Sequence, residues 1–228
     1  MLCLIADLVT YVPSIDTLDH IYKDYLISDD NLKRDIVIDD KLYRYSRYHN
    51  LNNIDIAYLE SGYQFYLKLL DFNGLMLHAS AVVLDNKTYL FVGQSGIGKS
   101  THAKLLKKYY KDALLINDDK PAIRYIDNMW YAYGTPFSGK DNININAKYP
   151  LKAICLLSKR RDRNNIRELD SISAFLKLLV STVGRTSKES LDKLSILLNR
   201  LIKDIRIYEM DSLADEKGIK EVYEIMKK

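Results

Sequence analysis

The sequence predicts an α/β fold: a strand–loop–helix core, preceded by a small α+β lobe and followed by a mostly helical C-terminal third. Three observations predict it. A β-branched and aromatic run, residues 88–92, passes through a glycine-punctuated loop, residues 93–101, into a run over 102–110 where Ala103, Leu105 and Leu106 recur among lysines. Strand-length apolar runs separated by short polar turns flank this unit on both sides. The last third carries helical periodicity over 172–179 and 188–202.

The elements follow in order. Residues 1–55 form the small lobe, with strands over 8–12, 36–38 and 41–45 and a short helix within 18–26. Asn50 to Asn53 make a polar break, and residues 56–228 form the main domain. Residues 56–70 read as a helix with Leu59, Tyr63, Tyr66, Leu67 and Leu70 near one face, stopped at Gly74. Residues 75–84 read as one strand, which 85–87 turn into the strand over 88–92. Residues 114–119 are a hydrophobic strand ending in carboxylates. A hairpin over 122–133, a polar loop over 134–140 and a buried strand over 151–157 come next. A basic run at 159–163, the two periodic helices, a strand over 205–210 and a helix over 216–226 complete the chain.

Bulk composition excludes several classes. The 228 residues are 47% hydrophobic and 28% charged, as in an ordinary globular protein. With 34 basic and 30 acidic residues the net charge is +4, too mild to argue for nucleic acid, and the basic run reads as a solvated face. The eighteen tyrosines read as compositional bias. Cys3 and Cys155 lie far apart and have no metal-type spacing, which points to a reducing compartment. The first residues lack a positive segment and Asp7 interrupts their apolar run, so no signal peptide is expected. No run approaches the length of a membrane span. The expected place is the cytoplasm, with no membrane or nucleic-acid partner; a homo-oligomer stays open.

Gly93, Gln94, Ser95, Gly96, Ile97, Gly98, Lys99, Ser100 and Thr101 fit G-x-x-x-x-G-K-[ST], the phosphate-binding loop. Glycines let successive amides turn inward on phosphate oxygens. Lys99 places a charge on the β/γ-phosphates, Ser100 a hydroxyl on Mg²⁺, and the following helix its positive end on the same anion. Asp118 and Asp119 end the next long strand. One carboxylate there can reach Mg²⁺, and its neighbour can take a proton from an attacking hydroxyl. Adjacent residues on a regular strand face opposite ways, so the pair must sit where the backbone leaves its pleat. A solvated turn is the plain alternative. His78 is the third candidate, against the plain alternative of a satisfied core histidine; a carboxylate beside it would hold it protonated.

His78 fifteen residues before Gly93, the loop Gly-Gln-Ser-Gly-Ile-Gly-Lys-Ser and the Asp118-Asp119 pair together resemble the catalytic core of HPr kinase/phosphorylase. The likeness covers about residues 74–125. It implies a mixed-sheet P-loop core of the type shared with ATP-dependent phosphoenolpyruvate carboxykinase. It also implies Asp118 as general base toward a serine, His78 as the partner that tunes it, Asp119 and Ser100 on Mg²⁺, and Lys99 on the phosphates. The strand over 77–82 and the loop over 134–139 are similar to those of short HPr-kinase-related proteins found beside genes for ribosomally made peptides. That likeness implies that Thr135, Ser138 and Lys140 line the site. The expectation is therefore a kinase using ATP and Mg²⁺ on a hydroxyl, most simply a serine of a peptide or protein. A nucleotide-binding regulatory module without transfer and a small-molecule hydroxyl kinase are the alternatives. The lobe over 1–55 is expected to recognise a peptide by strand addition.

Overall fold

The computed structural model describes residues 1–13, 19–29, 31–45, 50–158, 165–183, 186–211 and 215–228. The basic run at 159–163 lies outside them.

The chain opens with β1 (Leu2–Ile5), β2 (Leu8–Tyr11), helix α1 (Asp19–Tyr22), a 3-10 turn (Lys23–Tyr25) and β3 (Ile36–Val37). These strands form a three-stranded sheet, β1 antiparallel and β3 parallel to β2. Two features differ from expectation. The apolar start of the chain is itself a strand, β1. Residues 41–45, expected as a strand, belong to a 3-10 helix, Asp40–Tyr45. Asp39 decides this, because its side chain accepts the Lys41 N–H at 2.9 Å and its carbonyl the Leu42 N–H at 3.3 Å. That local turn bends the backbone before the alternating pattern can express a strand.

Helix α2 (Asn53–Leu69) starts at the polar break, with the Asn52 side chain accepting the Asp55 N–H at 2.9 Å. It is buried around more of its surface than the apolar spacing implies, since Ala57, Ser61 and Gln64 are buried with Phe65, Tyr66 and Leu69. The polar members are satisfied: Ser61 Oγ lies 2.9 Å from the Tyr43 hydroxyl, and Gln64 brackets Asp39 through its N–H and its carbonyl. Asn73, at φ +54°, ends the 3-10 turn after the helix, not Gly74. Asn tolerates that left-handed geometry.

The remaining elements are β4 (Gly74–Met76), β5 (Ala79–Leu84), β6 (Lys87–Val92), α3 (Lys99–Tyr109), β7 (Leu114–Asn117), β8 (Ala122–Ile126), β9 (Met129–Tyr133), β10 (Lys148–Leu157), β11 (Asn165–Glu168), α4 (Ser171–Leu179), α5 (Lys188–Asp204), β12 (Arg206–Asp211) and α6 (Glu216–Met226). The nine strands form one mixed sheet in the order β4-β8-β9-β10-β6-β5-β7, with β12 on β10 and β11 on β12. β10 pairs parallel with β6 and β12, and its first residues pair antiparallel with β9. Asp85-Asn86 and Asp127-Asn128 all have positive φ, as the tight turns of the β5–β6 and β8–β9 hairpins require.

The single strand expected over 75–84 is two strands, broken at Leu77-His78. β4 pairs with β8, whereas β5 pairs with β6 and β7. Both halves are buried, so the apolar run carries no sign of the change of partner. Around β5 and β6 the sheet is covered on both faces. Ala79, Ala81, Leu90 and Val92 pack with Leu178, Leu194 and Leu198 of α4 and α5. Val82, Leu84, Tyr89 and Phe91 pack with α3 and α6. Double coverage is why residues 88–92 form a nearly continuous apolar run.

Candidate active site

Two walls face each other across a cleft of about 560 Å³. The first is the loop after β6. The hairpin register sets Ala79 against Val92, so His78 stands opposite Gly93, and the Gly93 N–H donates to the His78 carbonyl at 3.3 Å. The fifteen-residue spacing is thus a hairpin's geometry. The loop turns through Gly96 (φ +77°) and Gly98 (φ +113°), backbone regions that disfavour a Cβ. His102 fixes the exit: its ring stacks on Phe91 and its Nδ1 lies 2.8 Å from the Gly98 carbonyl. Burial lowers its pKa, so the ring is a neutral strut at pH 7. Lys99 is buried, and its Nζ donates to the carbonyls of Gly93 (3.0 Å) and Gln94 (3.3 Å). Burial lowers its pKa as well, against the pull of Asp119.

Of the nine loop residues, Ser95, Gly96, Gly98, Lys99, Ser100 and Thr101 line the cleft. Gly93, Gln94 and Ile97 do not; they border a separate hollow beside Leu156 and Val180.

The second wall begins where β7 ends. The buried Asn117 side chain accepts the N–H groups of Asp119 (2.9 Å) and Lys120 (2.7 Å) and donates to the Thr135 carbonyl at 3.0 Å. This side-chain turn takes the chain out of its pleat, and Asp118 and Asp119 both reach the cleft. Asp118 Oδ1 accepts the Gly139 N–H at 2.6 Å. Asp119 Oδ1 lies 2.6 Å from His78 Nε2, and its other oxygen meets Lys120 Nζ. His78 Nε2 also lies 3.2 Å from Lys99 Nζ. One ring nitrogen cannot donate to a carboxylate and accept from an ammonium at once; the shorter contact takes the proton, so His78 donates to Asp119.

The two carboxylates are driven apart. Burial raises the pKa of Asp118, the Gly139 N–H opposing it and the charge of Asp119 adding to it. Burial also pushes Asp119 upward, but the bonds from His78 and Lys120 outweigh that and hold it well below the usual carboxylate range. Adjacent residues thereby acquire opposite tendencies toward a proton.

Behind this wall, Thr135 Oγ1 donates to the Lys120 carbonyl at 2.8 Å, and the Tyr66 hydroxyl bonds the same carbonyl. Tyr58 donates to the Ser138 carbonyl at 3.0 Å. Thr135 and Ser138 are buried, so of the three loop residues expected to line the site only Lys140 does. Sequence reasoning missed Asn117, Lys120, Gly139, Tyr58 and Tyr66 as parts of the site. An Asn immediately before Asp-Asp was a usable signal for the turn; nothing local marked the two tyrosines. Cys3 and Cys155 are buried free thiols, Cys3 pushed by burial up to about 12. Among the described residues, no helix is long and apolar enough to cross a membrane.

Fold and cleft together define a mixed α/β protein with a glycine-rich loop set against a carboxylate pair. Residues 49–206 match the family model described as SynChlorMet cassette protein ScmC, and the chain belongs to that family. No curated protein matches it. Among solved structures it is similar to the HPr(Ser) kinase/phosphatase from Coxiella burnetii at 14% identity and a TM-score of 0.30, over 57% of this chain and 92% of that one.

Proposed function

We propose that this protein is an ATP- and Mg²⁺-dependent kinase that transfers the γ-phosphoryl group to a serine hydroxyl of a peptide or protein. The observation that carries the reading is the cleft in which Lys99 and Ser100 face two carboxylates of opposite proton affinity. Asp118 takes the hydroxyl proton as the serine oxygen bonds to phosphorus and the bond to the β-phosphate oxygen breaks, releasing ADP. Lys99 and the loop amides neutralise the charge on the transferring group. His78 keeps Asp119 ionised.

Ser100 and Asp119 are the hard oxygen donors suited to Mg²⁺, which favours one or two carboxylates with water and phosphate and supplies charge neutralisation. Among the described residues, no group of three or more His, Cys, Asp or Glu is placed to hold a metal ion. Membership of a family of cassette proteins fits an enzyme that acts beside neighbouring gene products.

The test is direct. The protein with ATP, Mg²⁺ and serine-containing peptides is expected to yield phosphopeptide by mass spectrometry. Nucleotide binding without any phosphorylated product moves the protein to the binding-module class.

A further inference from the structure

We infer that the acceptor serine is flanked by an aliphatic or aromatic residue whose side chain fills an apolar pocket beside the carboxylate wall. The inference rests on the kinase reading above. The pocket holds about 80 Å³ and is walled by Tyr58, Leu59, Tyr63, Met76, Phe137 and Val183. An apolar cavity of about 150 Å³ holds a benzene ring, so this pocket takes a Leu or Met side chain, or a Phe ring entering by its edge, and not a nucleobase with its sugar.

The lining is mostly carbon. Tyr58 and Tyr66, whose rings border the pocket, spend their hydroxyls on the carbonyls of Ser138 and Lys120. Lys120 also lines it, but its ammonium is held by Asp119, so its contribution is the methylene stem. A charged occupant loses its water there against a mostly apolar lining, whereas an apolar one gains by leaving water. The wall is preformed. The Phe137 ring is fully enclosed, edge-on to Tyr22 and Tyr66 and tilted against Tyr58 and Phe65. Gly62 leaves room for it, since a Cβ there would lie 2.9 Å from the ring.

Position ties the pocket to the chemistry. Lys120 lines both the pocket and the cleft. Phe137 stands two residues before Gly139, whose N–H holds Asp118. A side chain seated here brings its neighbour in the peptide toward the proposed base.

The experiment uses the full chain with ATP and Mg²⁺ on N-acetylated tripeptide amides, X-Ser-Gly and Gly-Ser-X, where X is Leu, Phe, Gly or Asp. For Leu or Phe on one flank, kcat/KM is expected to exceed that for Gly and Asp at least tenfold, chiefly through KM. Val183→Phe, or Leu59→Trp should the first variant fold poorly, is expected to abolish that advantage while the Gly peptide and nucleotide Kd stay unchanged. Equal rates for every X overturn the pocket and leave the kinase reading standing. Full preference retained in both variants overturns its location. No phosphopeptide from any X overturns the kinase reading and this inference with it.

Discussion

The loop wall of the cleft is held by near neighbours. Two glycines set its turn, and Lys99 is bonded to carbonyls five and six residues back in the chain. The carboxylate wall is held from afar. Ser80 donates to the Asp118 carbonyl, Gly139 to its side chain, and Tyr66 and Thr135 converge on the Lys120 carbonyl. The first wall is therefore mostly a local motif, with the bond from Gly93 to His78 its tie to the neighbouring strand. The second is a product of the whole tertiary structure, and the proton affinities of Asp118 and Asp119 are set there. Phosphate binding and proton chemistry should accordingly fail separately.

Asp118→Asn breaks the carboxylate wall chemically and keeps its shape, since the amide oxygen can still accept the Gly139 N–H. Single-turnover transfer is expected to fall by about 10²–10⁴-fold, with nucleotide Kd by calorimetry within about twofold. A variant that retains the wild-type rate removes Asp118 as base. Lys99→Ala breaks the other wall. Loss of its charge-assisted contacts is expected to cost about 1.5–3 kcal/mol in nucleotide binding, and an unchanged Kd would show that the loop amides suffice.

Thr135→Val strikes the carboxylate wall from behind. It removes the hydroxyl that meets the Lys120 carbonyl and the Asn117 amide. We expect about 1–3 kcal/mol less stability in urea unfolding, and a fall in kcat with nucleotide Kd unchanged. A parallel loss of nucleotide affinity would mean the walls are one unit.

The smallest effect concerns stability against pH. The fold raises the pKa of Asp118, so this group favours the folded state at acid pH and becomes a cost as pH rises through its folded value. Asp119, held low, stabilises above the ordinary carboxylate range and loses that contribution as pH falls through its lower folded value. At pH 7 Asp118→Asn is expected to gain stability and Asp119→Asn to lose it. The Asp119→Asn deficit should shrink below pH 4, roughly the carboxylate reference value. Urea titrations at both pH values check the opposite signs.

The same division governs what could be read from the sequence. The strand into Gly93, the loop, helix α3 and the Asp-Asn hairpin turns are coded within a few residues, and the structure has them close to where the sequence predicts, with α3 starting at Lys99 and not at His102. The break at His78 is hidden because the residues on both sides of it are buried and mostly apolar. Residues 41–45 have a strand's composition, but Asp39 captures their amides first. The reach of Asp118 and Asp119 into one cleft depends on Asn117, whose partner Thr135 belongs to a loop beyond a hairpin. Tyr58 and Tyr66 belong to the site only because α2 lies behind residues 120 and 138, a long-range placement that no local pattern encodes.

The strand that launches the loop also has a history in time. Val92 pairs with Ala79 on one side and with Leu156 on the other. The hairpin side can close as soon as it leaves the ribosome. The parallel side pairs with β10, which is synthesised later, and β10 pairs in turn with β12. Parallel pairing across such separations is slow, and an open, apolar strand edge is a template for another chain. The most local motif in the molecule is thus mounted on a strand completed late in synthesis. The yield of soluble protein should depend on how long that edge stays uncovered.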